Sequence, residues 1–120
     1  MLIEKAWAKL HGSYCAIRKG QSILAMPHFT GAAARQFNHN TVSNADHFWA
    51  MIKDAVEKKF VVTSSTLGDG EAAHGDGLLG GHSYSLMSFI EAKIANKNQK
   101  VIKLRNPWGK DVTGDENLPG

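Results

Sequence analysis

The stretch that decides how this chain is read is GGHSYSLMSFIEAKIANKNQKVIKLRNPWG, residues 80–109. Two β-rich runs, at about 83–94 and 99–105, flank Asn96-Lys97-Asn98, and this arrangement predicts an antiparallel hairpin. In such a hairpin the start of the first strand and the end of the second lie at the same end of the sheet, which brings His82 and Asn106 into one neighbourhood. Strict pairing does not make them meet. Mirror counting about Lys97 sets Asn106 opposite Ser88, six residues from His82. A bulge, a bend or an unpaired first segment has to close that gap.

Outward from the hairpin, six of the fourteen residues from Gly68 to Gly81 are glycine, which predicts a loop running into His82. Gly80 and Gly81 leave the backbone without side chains just before His82, and the strand beginning at Ser83 ties that histidine to a rigid element. Before the loop, Phe60-Val61-Val62-Thr63-Ser64 predicts a buried strand. A helix precedes it: Asn44 is a good cap, Asp46 suits the positive end of the dipole, and Phe48, Trp49, Ile52, Ala55 and Val56 form an apolar stripe down to Lys58. A second helix is expected over 2–11, with Leu2, Ile3, Ala6, Trp7 and Leu10 on one stripe and Gly12 as its stop. Between them periodicity fades, and Gly20, Pro27 and Gly31 break the chain into loops with a short strand near 22–26 and a helical turn at 31–37. Trp7 and Trp49 sit on apolar stripes and are read as core.

The 120 residues fit one domain, and a hydrophobic content of 42% supplies a modest core. A formal charge of +3 is spread along the chain without a run of five like charges, so no nucleic-acid stripe is indicated. No run of 18 apolar residues exists, which excludes a membrane-spanning helix in this sequence. The single cysteine, Cys15, excludes an internal disulfide or a CxxC metal site and is compatible with a reducing, cytoplasmic compartment. The six histidines, at 11, 28, 39, 47, 74 and 82, lack the spacing of a zinc ligand set. Asp69-Gly70-Glu71 lacks EF-hand spacing and reads as loop. The chain opens in mid-helix without a capping residue before Leu2, the expectation being a piece of a longer protein.

If His82 and Asn106 meet, their chemistry is specific. A histidine acting as general base keeps one ring nitrogen for its task while an acceptor holds the other, and the amide oxygen of asparagine orients the ring without adding a charge. Pro107 biases Asn106 toward extended backbone, and Trp108 would cover the pair and exclude water. This is a base with its orienter, still lacking a nucleophile.

These residues resemble a known family. LIEKAWAKLHGSY at 2–14, HFTGAAARQF at 28–37, GGHSYSLM at 80–87 and LRNPWG at 104–109 resemble the calpain family of intracellular cysteine proteases, in that family's order and with similar spacing. The resemblance implies an α+β fold: part of a papain-like core, mainly its antiparallel β-barrel-like subdomain with an N-terminal helix and one further helix. It places the end of the helical, Cys-bearing subdomain at 1–19 and an incomplete β-rich, His/Asn-bearing subdomain at 20–120. It implies His82 as general base, Asn106 as its orienter, and Trp108 and Gly81 as supporting residues, in hydrolysis of peptide bonds through an acyl-enzyme. The partners it implies are protein substrates and an upstream Cys-bearing subdomain of the same chain.

The departures from the family carry equal weight. The family's nucleophile sits in a Gly-Asp-Cys-Trp-like segment upstream of the equivalent of Leu2, with an oxyanion-hole Gln before it, and neither occurs here. Cys15 follows the first helix, where the family has no catalytic residue, and is read as a small, partly buried side chain. The chain alone is therefore expected to be inactive. No cofactor is expected within it; for the longer protein the resemblance leaves calcium open. Asp111, Asp115 and Glu116 follow RNPWG where the resemblance places the first acidic calcium loop. The spacing is one residue short, and three acids fall below the six to eight oxygens Ca²⁺ takes, so they amount to a weak contact or a solvated turn. Two other readings stand beside the protease: a non-catalytic calpain-like binding or scaffolding module, and an unrelated basic α+β module for acidic partners.

Overall fold

The computed structural model describes residues 2–68 and 77–109. Two units make up the chain, Met1–Asn40 and Thr41–Gly120.

The first unit is helical. Helix α1 (Leu2–Leu10) forms where predicted, but Leu2, Ile3 and Leu10 of its stripe are exposed and its buried residue is Ala8; the chain then turns at Gly12, whose φ is 90°. A 3₁₀ turn at Cys15–Ile17 leads to helix α2 (Ser22–Thr30). Here the expected strand near 22–26 is helix instead. Ile23-Leu24-Ala25-Met26 is a continuous apolar run, which periodicity cannot assign, but Leu, Ala and Met are strong helix formers. Pro27 lies inside the helix without ending it, and Gly31 ends it, at φ 70° with its N–H on the Pro27 carbonyl at 2.8 Å. With that left-handed cap in place, no helical turn forms at 31–37. Trp7 joins the two helices, its ring lying 4.2 Å from His11, 5.1 Å from His28 and 5.1 Å from Phe29.

The second unit begins with helix α3 (Ala45–Glu57), capped as expected by Asn44, whose Oδ1 accepts from His47 N–H at 2.9 Å. Its end is a Schellman motif: Phe60 N–H reaches the Ala55 carbonyl and Lys59 N–H the Val56 carbonyl, each at 2.9 Å, with Lys59 at φ 58°. That exit uses up Phe60 and leaves Phe60 and Val61 exposed, so the strand forms later than predicted, as β1 (Thr63–Ser65).

Strands β2 (Ser83–Ile94) and β3 (Lys97–Arg105) complete a three-stranded antiparallel sheet in the order β1-β2-β3. The hairpin turn is Ala95-Asn96, not Asn96-Lys97-Asn98. Both residues have positive φ, 48° and 62°, as a two-residue type I′ turn requires. Residue α3 side chains cover one face of the hairpin. Trp49 Nε1 donates to Glu91 at 2.7 Å, its ring lies 6.1 Å from Phe89, and Lys53 Nζ stands 5.3 Å over the Phe89 ring. Lys100 bonds Asp46 from the neighbouring strand. The buried core of this unit sits at the opposite end of β2, around Leu79, His82 and Tyr84.

Candidate active site

The register of the hairpin explains how His82 and Asn106 come together. From the turn, Ile94 pairs with Lys97 and the pairing runs without slip to Ser88 and Lys103. Met87 is then an extra residue, because the next pair is Leu86 with Leu104, followed by Ser85 with Arg105. One further step sets Asn106 beside Tyr84, two residues from His82 and on its face of the sheet. Without the bulge, Asn106 would fall opposite Ser85, on the other face from His82. The earlier turn and the extra residue together move the partner of Asn106 from Ser88 to Tyr84, which narrows the gap to His82 from six residues to two.

The side chains meet. His82 Nε2 lies 3.0 Å from Asn106 Oδ1, and Oδ1 also accepts from the Trp108 backbone N–H at 3.1 Å. A backbone N–H can only donate, so the amide oxygen, not the NH₂, faces the ring. An oxygen that only accepts requires Nε2 to carry the proton, and in the neutral ring Nδ1 therefore holds the lone pair. The RNPWG turn is closed by Gly109 N–H on the Asn106 carbonyl at 3.0 Å. It swings the Trp108 ring to 4.8 Å from the His82 ring. His82 is 7% exposed, whereas Trp108 is 48% exposed. Asn106 Nδ2 is buried and, among the described residues, has no hydrogen-bond partner.

Two residues that sequence reasoning passed over hold the histidine segment. Tyr84 is buried, its ring lies 5.0 Å from the His82 ring, and its hydroxyl accepts from Leu79 N–H at 2.8 Å. Thr66 accepts from His82 N–H at 3.0 Å through Oγ1. Tyr84 was visible as the residue two beyond His82, on the same strand face. The position of Thr66 follows only once the pairing of Ser65 with Ser83 is known, which sets it opposite His82. Gly81 reaches the segment's sharp bend at φ 58° and donates to the Leu67 carbonyl at 3.3 Å.

Cys15 is exposed rather than partly buried, because its short 3₁₀ turn leaves the side chain on the surface of the first unit. Asp111, Asp115 and Glu116 lie outside the described residues, as do His74 and Asp69-Gly70-Glu71. Among the described residues no group of three or more His, Cys, Asp or Glu could hold a metal ion, and no helix is long and apolar enough to cross a membrane.

Comparison with known proteins agrees with the motifs. A family model described as calpain family cysteine protease matches residues 1–115. Calpain-9 of Homo sapiens is 35% identical over 113 residues, covering 90% of this chain and 16% of that protein. Calpain-12 of Mus musculus is 34% identical over 110 residues, with 91% and 15% covered. Calpain-A of Drosophila melanogaster is 33% identical over 118 residues, with 92% and 14% covered. The chain thus spans about one sixth of the length of such relatives. A family match running through both the GGHSYSLM and LRNPWG segments decides what their meeting implies: the chain belongs to the calpain family of cysteine proteases.

Proposed function

We propose that this chain supplies the general base, His82, and its orienter, Asn106, to an endopeptidase of the calpain type whose cysteine nucleophile lies elsewhere in a longer protein. The observation that carries the reading is the 3.0 Å contact of Nε2 with an Asn106 oxygen whose identity the Trp108 N–H fixes. On this reading the proton sits on Nε2 and Nδ1 is the base. Nδ1 takes the proton from the cysteine thiol as sulfur bonds to the scissile carbonyl carbon, and returns it to the amine when the carbon–nitrogen bond breaks. Water, deprotonated by the same nitrogen, then hydrolyses the thioester. Asn106 keeps the ring aligned through both steps without adding a charge, and the Trp108 ring excludes water from one side.

The substrates proposed are proteins with exposed, flexible segments, and the compartment is the cytoplasm, where a nucleophilic thiol stays reduced. The test is cleavage of an unstructured protein by the full-length protein and by its His82→Ala variant, both checked for folding. Loss of cleavage in the variant is expected; cleavage at the parent rate would remove His82 from the mechanism.

A further inference from the structure

Thr66 follows β1 and faces the segment Leu79-Gly80-Gly81-His82. Its backbone N–H donates to the His82 carbonyl at 2.9 Å, its Oγ1 accepts from the His82 N–H at 3.0 Å, and its hydroxyl has the Leu79 carbonyl as its nearer acceptor and the His82 carbonyl at 3.2 Å as its farther one. Tyr84 holds the other polar group of Leu79, its N–H, at 2.8 Å. The gripped segment contains two glycines, with Gly81 at φ 58°, and glycines lack side chains by which to hold themselves in place. Asn106 restrains the imidazole at Nε2, but a contact at the ring does not by itself fix the position of the Cα. The His82 peptide is fixed by Thr66 on both its N–H and its carbonyl.

We infer that Thr66 is a positioning residue for the general base, acting through its hydroxyl on the backbone of His82; this rests on the reading of His82 as base. The hydroxyl is suited to the task because it accepts and donates at once, tying the two ends of the glycine bend to a single atom. Valine has nearly the same shape and can do neither, so it leaves the His82 N–H and the Leu79 carbonyl, both in a largely buried segment, without that partner. Freed from it, the His82 Cα drifts and Nδ1 leaves line with the thiol.

The experiment uses the full-length protein, with kcat expressed per active site counted by titration with a tight-binding, substrate-like peptide inhibitor. Thr66→Val is expected to lower kcat by about 10- to 100-fold, the scale of an ångström's misplacement of a reacting group. KM is expected to stay near its parent value, because Thr66 touches no substrate. Thr66→Ser, which keeps the hydroxyl and drops only a methyl group, is expected to retain most of the parent kcat. A Thr66→Val enzyme with the parent kcat per active site would overturn the inference, as would a Thr66→Ser enzyme that loses as much as Thr66→Val. If Thr66→Val does not fold, Thr66→Ser alone still decides, since a loss of tenfold or more in that variant places the effect in packing of the methyl group. Cleavage retained by His82→Ala would instead sink the assignment of the base, a result separable from either outcome at Thr66.

Discussion

Trp108 contacts His82 in two distinct ways: its ring packs 4.8 Å from the imidazole, and its backbone N–H fixes the asparagine oxygen that the imidazole meets. Only the first depends on the indole. Trp108→Ala should therefore preserve the orientation of Asn106 and lose only the shield, lowering kcat/KM by about tenfold, or roughly 1.4 kcal/mol of transition-state stabilisation. A loss as complete as that of His82→Ala would show that the ring itself is needed for alignment. Steady-state kinetics on the two variants side by side makes the comparison.

Removing the asparagine side chain should cost more than removing the indole and less than removing the base. Asn106→Ala deletes the acceptor of both His82 Nε2 and Trp108 N–H, yet the imidazole still visits the productive rotamer. Residual turnover well above that of His82→Ala is expected, with kcat reduced by about 10²- to 10³-fold. Equal kcat for the two variants would mean that the ring cannot find its place unaided.

The Schellman motif after α3 sets a lysine where glycine is favoured. Lys59 holds φ 58°, a conformation that crowds its Cβ against the backbone. Lys59→Gly should stabilise the fold by about 1 kcal/mol, less the entropy that glycine adds to the unfolded chain. Urea unfolding would show this as a higher midpoint at unchanged slope. An unchanged or lower midpoint would mean that the lysine is unstrained there.

Asp46, in the first turn of α3, receives a hydrogen bond from Lys100, and this bond together with the lysine charge holds its carboxyl below the ordinary value of 3.8. A carboxylate whose folded value is depressed contributes stability above its unfolded pKa and loses it as pH falls through the folded one. The stability difference between the parent and Asp46→Asn should thus be present at neutral pH and fade as the pH falls below about 3.8. Both partners are exposed, so the difference is small and shrinks in high salt. A difference that persists at the lowest pH would trace to the amide rather than to the ion pair.

What the sequence made legible follows from which forces are local. Helices α1 and α3 were readable because each carries a one-sided apolar stripe, and Asn44 announces the start of α3 through a bond made within four residues. Helix α2 was not, because its first turns are apolar all round and show no period. The position of the hairpin turn was hidden because Ala95 takes a left-handed conformation that its side chain does not favour; strand pairing on either side imposes it. The meeting of His82 and Asn106 was legible from the motifs and from hairpin logic, but not its route, since the bulge at Met87 has no signature in residue type. Thr66 is an ordinary threonine until the pairing of β1 with β2 carries it to His82.

The extra residue at Met87 makes the site depend on a count. Because strand faces alternate with every residue, the parity of the chain between the turn and His82 decides whether His82 and Asn106 share a side of the sheet at all. Over that interval the number of residues sets the pairing, whatever their types. Substitutions along the hairpin are graded perturbations, whereas a single deletion there would invert the arrangement and send the imidazole and the amide to opposite surfaces.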